Sequence, residues 1–156
     1  MLILQVHYSM IFLAVIGAGG RFVGANPAFT PVELNHLYET SDVKFVLLEP
    51  SLMLNVFPTI RQRCISTSSV LWFGVDKGQD GVACDPWTKL MNHGEEDWIT
   101  FDDETTAKTT TAALMSTSGT TGLPKAAEIS HFAFIAQSIM CYDSAEIAYR
   151  ASFLYR

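Results

Sequence analysis

The chain has 156 residues, 49% hydrophobic and 17% charged, with a formal net charge of -6. That length suffices for one domain with its own core. The acidic balance excludes a general nucleic-acid binder, because no basic surface would draw in a phosphate backbone, but it leaves room for a small anion held by backbone N–H groups and one or two lysines.

The first twenty residues are strongly apolar and close on Gly17-Ala18-Gly19-Gly20. They lack a basic start and are interrupted by Gln5, His7 and Ser9, so a buried helix from Tyr8 to Ala18 is expected; a signal or membrane segment is the alternative. Phe22 to Ala25 reads as a short strand before the turn Asn26-Pro27. Thr30-Pro31-Val32-Glu33 is a helix start: Thr30 caps, Pro31 suits the first helical position, and Glu33 completes a capping box. That helix should bury Leu34, Leu37 and Tyr38 and end near Ser41.

Lys44 to Leu48 is an apolar run closed by Glu49-Pro50, which predicts a buried strand. A helix over 51–63 follows, with Pro58 expected to kink or restart it. Val70 to Val75 predicts another buried strand. From Asp76 to Thr111 the chain turns polar, with Glu95-Glu96-Asp97 and Asp102-Asp103-Glu104, and is expected to be a solvated excursion anchored by Trp87 and Trp98. The acidic clusters do not have the spacing of a calcium loop. Ala112 to Ser116 predicts a strand, and Ser130 caps a last helix reaching about Tyr142. Strands alternating with helices give an α/β fold with a mostly parallel sheet and flanking helices.

Cys64, Cys84 and Cys141 contain no C-x-x-C pair, and the four histidines are dispersed. This argues against a disulfide framework or a metal site and fits a reducing compartment such as the cytoplasm.

Between the last strand and the last helix lies Ser116-Thr117-Ser118-Gly119-Thr120-Thr121-Gly122-Leu123-Pro124-Lys125. Gly119 and Gly122 allow tight turns and close backbone approach. The hydroxyls of Thr117, Ser118, Thr120 and Thr121 can donate to phosphate oxygens, successive N–H groups can form an anion-binding concavity, and Lys125 adds a point charge. The string is not a Walker A loop, since Pro124 precedes Lys125 and Ala126 follows it, and it lacks G-x-G-x-x-G.

This string resembles the signature loop of the adenylate-forming superfamily: acyl- and aryl-CoA synthetases, luciferases and peptide-synthetase adenylation domains. Gly24-Ala25-Asn26-Pro27-Ala28, Thr30-Pro31-Val32-Glu33-Leu34 and Lys44-Phe45-Val46-Leu47 look like the passages upstream of the loop in 4-coumarate–CoA ligase-like enzymes. Ser130-His131 resembles the opening of the helix after it. The resemblance implies that residues 1–156 are part of the large N-terminal domain, with the C-terminal domain absent. It implies an ATP-dependent ligase that activates a carboxylic acid as an acyl-adenylate and passes the acyl group to coenzyme A, with Mg²⁺ at the phosphates. Thr117, Ser118, Gly119, Thr120, Thr121 and Lys125 would contact ATP by matching position.

Two departures stand out: Ala126 where the family usually has Gly, and Thr117 where Ser is common. His131 matches a family position and is read as structural. Motifs for the acyl pocket, the adenine and ribose contacts and the catalytic lysine have no counterpart here. The expectation is therefore a fragment not catalytically complete alone, with a non-catalytic nucleotide-binding remnant as the alternative. No residue is assigned a catalytic role. No membrane partner is expected, although the apolar N-terminus keeps that reading open, and a peroxisomal full-length form is compatible.

Overall fold

The computed structural model describes residues 7–73, 84–117, 122 and 125–143. Helix α1 spans Tyr8–Gly17, strand β1 Phe22–Gly24, helix α2 Pro31–Thr40 and strand β2 Val46–Leu48. A 3-10 turn at Pro50–Leu52 leads into α3, Met53–Gln62, and a second at Thr67–Ser69 leads into β3, Val70–Trp72. Beyond these lie β4 (Asp85–Pro86), a 3-10 segment Trp87–His93, α4 (Glu104–Thr109), β5 (Thr111–Thr117), β6 (Lys125–Ser130) and α5 (His131–Asp143).

Helix α2 begins as its sequence dictates. The Glu33 N–H donates to Thr30 Oγ1 at 3.3 Å, and the Thr30 N–H donates back to the Glu33 carboxylate at 2.8 Å. Those two bonds satisfy donors that a helix start leaves orphaned. The Thr30 hydroxyl also donates to that carboxylate at 2.7 Å and, with the Thr30 N–H, holds the Glu33 carboxyl below its ordinary range. Leu34, Leu37, Tyr38 and Ser41 recur at the spacing of one helix face, and all are buried. Helix α3 turns Met53, Val56, Thr59 and Ile60 inward against them. Arg63 ties the two helices together, donating from Nε to Asn35 Oδ1 at 2.8 Å and from its guanidinium to Glu39.

The restart anticipated at Pro58 does not occur, for α3 continues through it. Proline removes the donor for the carbonyl four residues back, here Leu54. Pro58 and Leu54 are both exposed, so water can take that carbonyl while the opposite face stays packed.

The strands form two three-stranded sheets, ordered β1-β5-β6 and β2-β3-β4. Three pairings are parallel (β1 with β5, β2 with β3, β3 with β4), and β5 pairs β6 antiparallel. The main core lies between the second sheet and α2 and α3, where Leu48, Val56 and Val70 have no exposed surface. In the first sheet the root of β5, Ala112 to Leu114, is buried.

Other expectations need correction, among them the buried helix over Tyr8–Ala18, of which only Ile16 and Gly17 are buried. The strand predicted from Lys44 starts at Val46, because Lys44 reaches back to Asp42 at 2.7 Å and Phe45 lies 75% exposed. The strand predicted over 70–75 is seen as Val70–Trp72, and Gly74 and Val75 lie outside the described residues. The polar stretch is solvated as expected, with residues 88–100 all exposed, and it also contributes structure. It adds β4 to the second sheet, and its helix α4 is capped by Asp103, which accepts the Thr106 N–H at 2.7 Å. Trp87 packs its ring on Phe73 at 4.9 Å, and the Ile99 N–H donates to the Gly17 carbonyl at 2.8 Å. Trp98 lies over Gly17 so closely that a Cβ there would sit 2.8 Å from its ring.

Among the described residues, no helix is long and apolar enough to cross a membrane.

Candidate functional site

The predicted phosphate loop joins the paired antiparallel strands β5 and β6. Strand β5 rises from a buried root to an exposed mouth at Thr117, and β6 descends beside it, with Thr117 opposite Lys125 and Ser116 opposite Ala126. Residues 126–129, unassigned in the sequence between the loop and the helix, form a strand with Lys125 and Ser130. The signal for β6 is weak, since Lys125-Ala126-Ala127-Glu128-Ile129-Ser130 holds a single β-branched aliphatic residue and two alanines.

Both ends of the hairpin are fastened by side chains. At the base, Thr111 Oγ1 donates to Glu128 at 3.1 Å. At the mouth, Thr117 Oγ1 donates to the Lys125 carbonyl at 3.2 Å. With its proton committed there, the Thr117 hydroxyl presents lone pairs outward rather than a donor. Lys125 is exposed, which leaves its ammonium accessible to an anion at the mouth.

Gly122 has φ +104°, a conformation that favours glycine, yet a Cβ built there would meet nothing within 4 Å. Backbone conformation, not crowding, therefore requires glycine at this point. Ala126 is free of the strain that a missing glycine could have caused, because it sits in β6 and its φ is not positive. Ser118, Gly119, Thr120 and Thr121, the other expected ATP contacts, lie outside the described residues.

After the hairpin, Ser130 Oγ accepts the Ala133 N–H at 3.2 Å and starts α5 as anticipated. The His131 ring lies 4.3 Å from that of Phe101, and the backbone N–H of His131 donates to the Thr110 carbonyl at 3.1 Å. Both contacts are structural: they fasten the start of α5 to the segment before β5.

A second opening, lined by Thr67, Ser68, Cys84 and Asp85, belongs to the other sheet. Burial and the neighbouring Asp85 charge push the Cys84 thiol up, which disfavours the thiolate a nucleophile needs.

Among the described residues no three His, Cys, Asp or Glu side chains converge as a cation cage. The hairpin mouth offers a hydroxyl oxygen and an ammonium instead. The ammonium suits phosphate oxygens, whereas the Thr117 oxygen, with its proton on the Lys125 carbonyl, would serve a Mg²⁺ bound with the nucleotide.

A family model described as AMP-binding enzyme matches residues 3–153. The chain is 36% identical over 152 residues to phenylacetyl-CoA ligase epaB of Aspergillus niger, covering 95% of this chain and 28% of that protein. It is 39% identical over 128 residues to acyl-CoA synthetase ACTT5 of Alternaria alternata, covering 82% of this chain and 22% of that one. Its fold superposes on ATP-bound MatB from Rhodopseudomonas palustris with a TM-score of 0.65 and 27% identity, over 89% of this chain and 25% of that structure. The chain thus spans about a quarter of the length of the relatives it matches.

Proposed function

We propose, from the premise that this chain belongs to the AMP-binding enzyme family, that it supplies the phosphate grip of an ATP-dependent acid–thiol ligase. In that reaction a carboxylate oxygen attacks the α-phosphorus of ATP and pyrophosphate leaves. The thiol of coenzyme A then attacks the acyl carbonyl and AMP leaves. Negative charge builds on the departing β- and γ-phosphates, and fixed positive groups lower the barrier by meeting it there. Lys125 meets that charge. Thr117 closes the hairpin beneath the turn, so that Ser118, Gly119, Thr120 and Thr121 wrap the phosphates with hydroxyl and backbone donors. Mg²⁺, when bound with the nucleotide, adds neutralising charge.

The observation that carries this reading is the pairing of Thr117 with Lys125 across the end of β5 and β6. It places the lysine at the rim of the glycine-containing turn. Motifs for the acyl pocket, the base pocket and the catalytic lysine have no counterpart among these 156 residues, so the role assigned to the chain is the phosphate grip alone. The relatives' names supply the substrate class, a carboxylic acid passed to coenzyme A, and the 4-coumarate–CoA ligase-like passages favour an aryl or acyl acid.

The test is to graft this chain in place of the matched 152 residues of the Aspergillus niger ligase and measure carboxylate-dependent ATP–pyrophosphate exchange. Exchange is expected, and Lys125→Ala should lower it by at least about tenfold, as loss of a charge-assisted contact does. A folded graft that binds ATP without exchanging pyrophosphate would favour the non-catalytic remnant instead.

A further inference from the structure

The run Gly17-Ala18-Gly19-Gly20 at the end of α1 has no part in the phosphate site. What crosses it gives it a purpose. The Ile99 N–H donates to the Gly17 carbonyl at 2.8 Å, taking one of the carbonyls that a helix end leaves unpaired. The Trp98 ring comes within 2.8 Å of where a Gly17 Cβ would be, and Ile99 Cδ1 within 2.6 Å of where a Gly19 Cβ would be. Two large side chains thus rest on bare backbone. Ahead of them Gly94 has φ +84°, with nothing within 4 Å of a Cβ built there, so the chain can turn at that point in open space.

This contact joins the approaches to two neighbouring strands. Helix α1 leads into β1, and the segment carrying Trp98 and Ile99 leads through α4 into β5. Those strands pair in parallel over three residues, Phe22 to Gly24 with Ala113 to Met115. So short a ladder holds its register weakly, and a slip of one residue turns every side chain to the other face. For β5 such a slip would re-aim Thr117 and, through it, Lys125. Fastening Ile99 to Gly17 adds a second point at which the two strands are aligned. Trp98 and Ile99 remain 61% and 52% exposed, so little area holds the segment down and it can open without the core.

We propose that residues 94–99 are a hinged strap seated on Gly17 and Gly19, and that Trp98 and Ile99 are positioning residues which align β5, and with it the phosphate hairpin, against β1. This rests on the functional reading above, which names what the hairpin holds.

Amide hydrogen exchange of the 156-residue chain tests the strap by itself. The Ile99 amide should exchange by a local opening that low urea leaves unchanged, at least about tenfold faster than that of Val56 in the core. Exchange of Ile99 only with global unfolding would overturn the strap. Gly17→Ala sets a methyl group against the Trp98 ring and should speed exchange along the β1–β5 ladder at least about fivefold, as overpacking does. With Trp98→Ala already present, Gly17→Ala should have no further effect, because the clash is gone. Additive effects of the two substitutions, or none from either, would overturn the seat. Trp98→Ala only removes atoms and serves alone if Gly17→Ala does not fold.

The positioning role is read in the graft into the Aspergillus niger ligase. Trp98→Ala should raise KM for ATP at least about fivefold and leave KM for the carboxylic acid within about twofold. Trp98→Phe, which keeps a ring over Gly17, should restore the native values to within about twofold. Equal rises in both KM values, or no rise in either, would overturn the role. A native graft without pyrophosphate exchange counts against the functional reading alone, and ladder exchange in the 156-residue chain then decides the strap.

Discussion

Each residue at the hairpin mouth meets a different physical demand. Thr117 spends its proton on the Lys125 carbonyl and so fixes the width of the opening. Gly122 is demanded by a positive φ in open space, and Ala126 is tolerated because its backbone is extended. Away from the site, Tyr38 carries a different liability. It is 6% exposed, and burial pushes its hydroxyl well above the usual 10.0. The folded state thus favours the neutral phenol, so the stability it contributes is full below about pH 10 and is lost as pH rises further. Urea unfolding between pH 8 and 11 should show a steeper alkaline loss for the native chain than for Tyr38→Phe. Parallel curves would show that the phenol does not titrate against the core.

At the scale of elements, three helices end alike. After α1, α2 and α3 the chain passes through a left-handed residue, Gly19, Asp42 and Cys64 respectively. In each case the next N–H bonds back across the last turn: Gly20 to Val15, Val43 to Tyr38 and Ile65 to Ile60. Glycine is the residue that such a cap favours, and a side chain there costs about 1 kcal/mol. Cys64 is exposed, so Cys64→Gly should raise stability by up to about 1 kcal/mol. A higher urea midpoint at unchanged slope would show it, and an unchanged or lower midpoint would refute the strain.

The elements that the sequence disclosed are those governed by local chemistry. Thr30 and Glu33 announce α2, Ser130 announces α5, and the run Ala112 to Ser116 announces β5. The elements it hid depend on distant partners. Strand β4 has two residues and exists only because Leu71 and Trp72 pair with them. Strand β6 is alanine-rich and owes its form to β5. Helix α4 lies in a threonine run that reads as coil, though Asp103 and Thr106 supply its cap. The site was legible as a string and its ligand class as chemistry. That its two ends pair as antiparallel strands was not, because register is a tertiary property.

At the scale of the whole molecule, the described residues form two small sheets, and among them the second has the main core while the first presents the hairpin. Calorimetric titration of the 156-residue chain with ATP–Mg²⁺, native against Lys125→Ala, tests the central assignment most directly. Saturable binding weakened at least about tenfold by the substitution is the predicted result. Identical isotherms for the two proteins would contradict it.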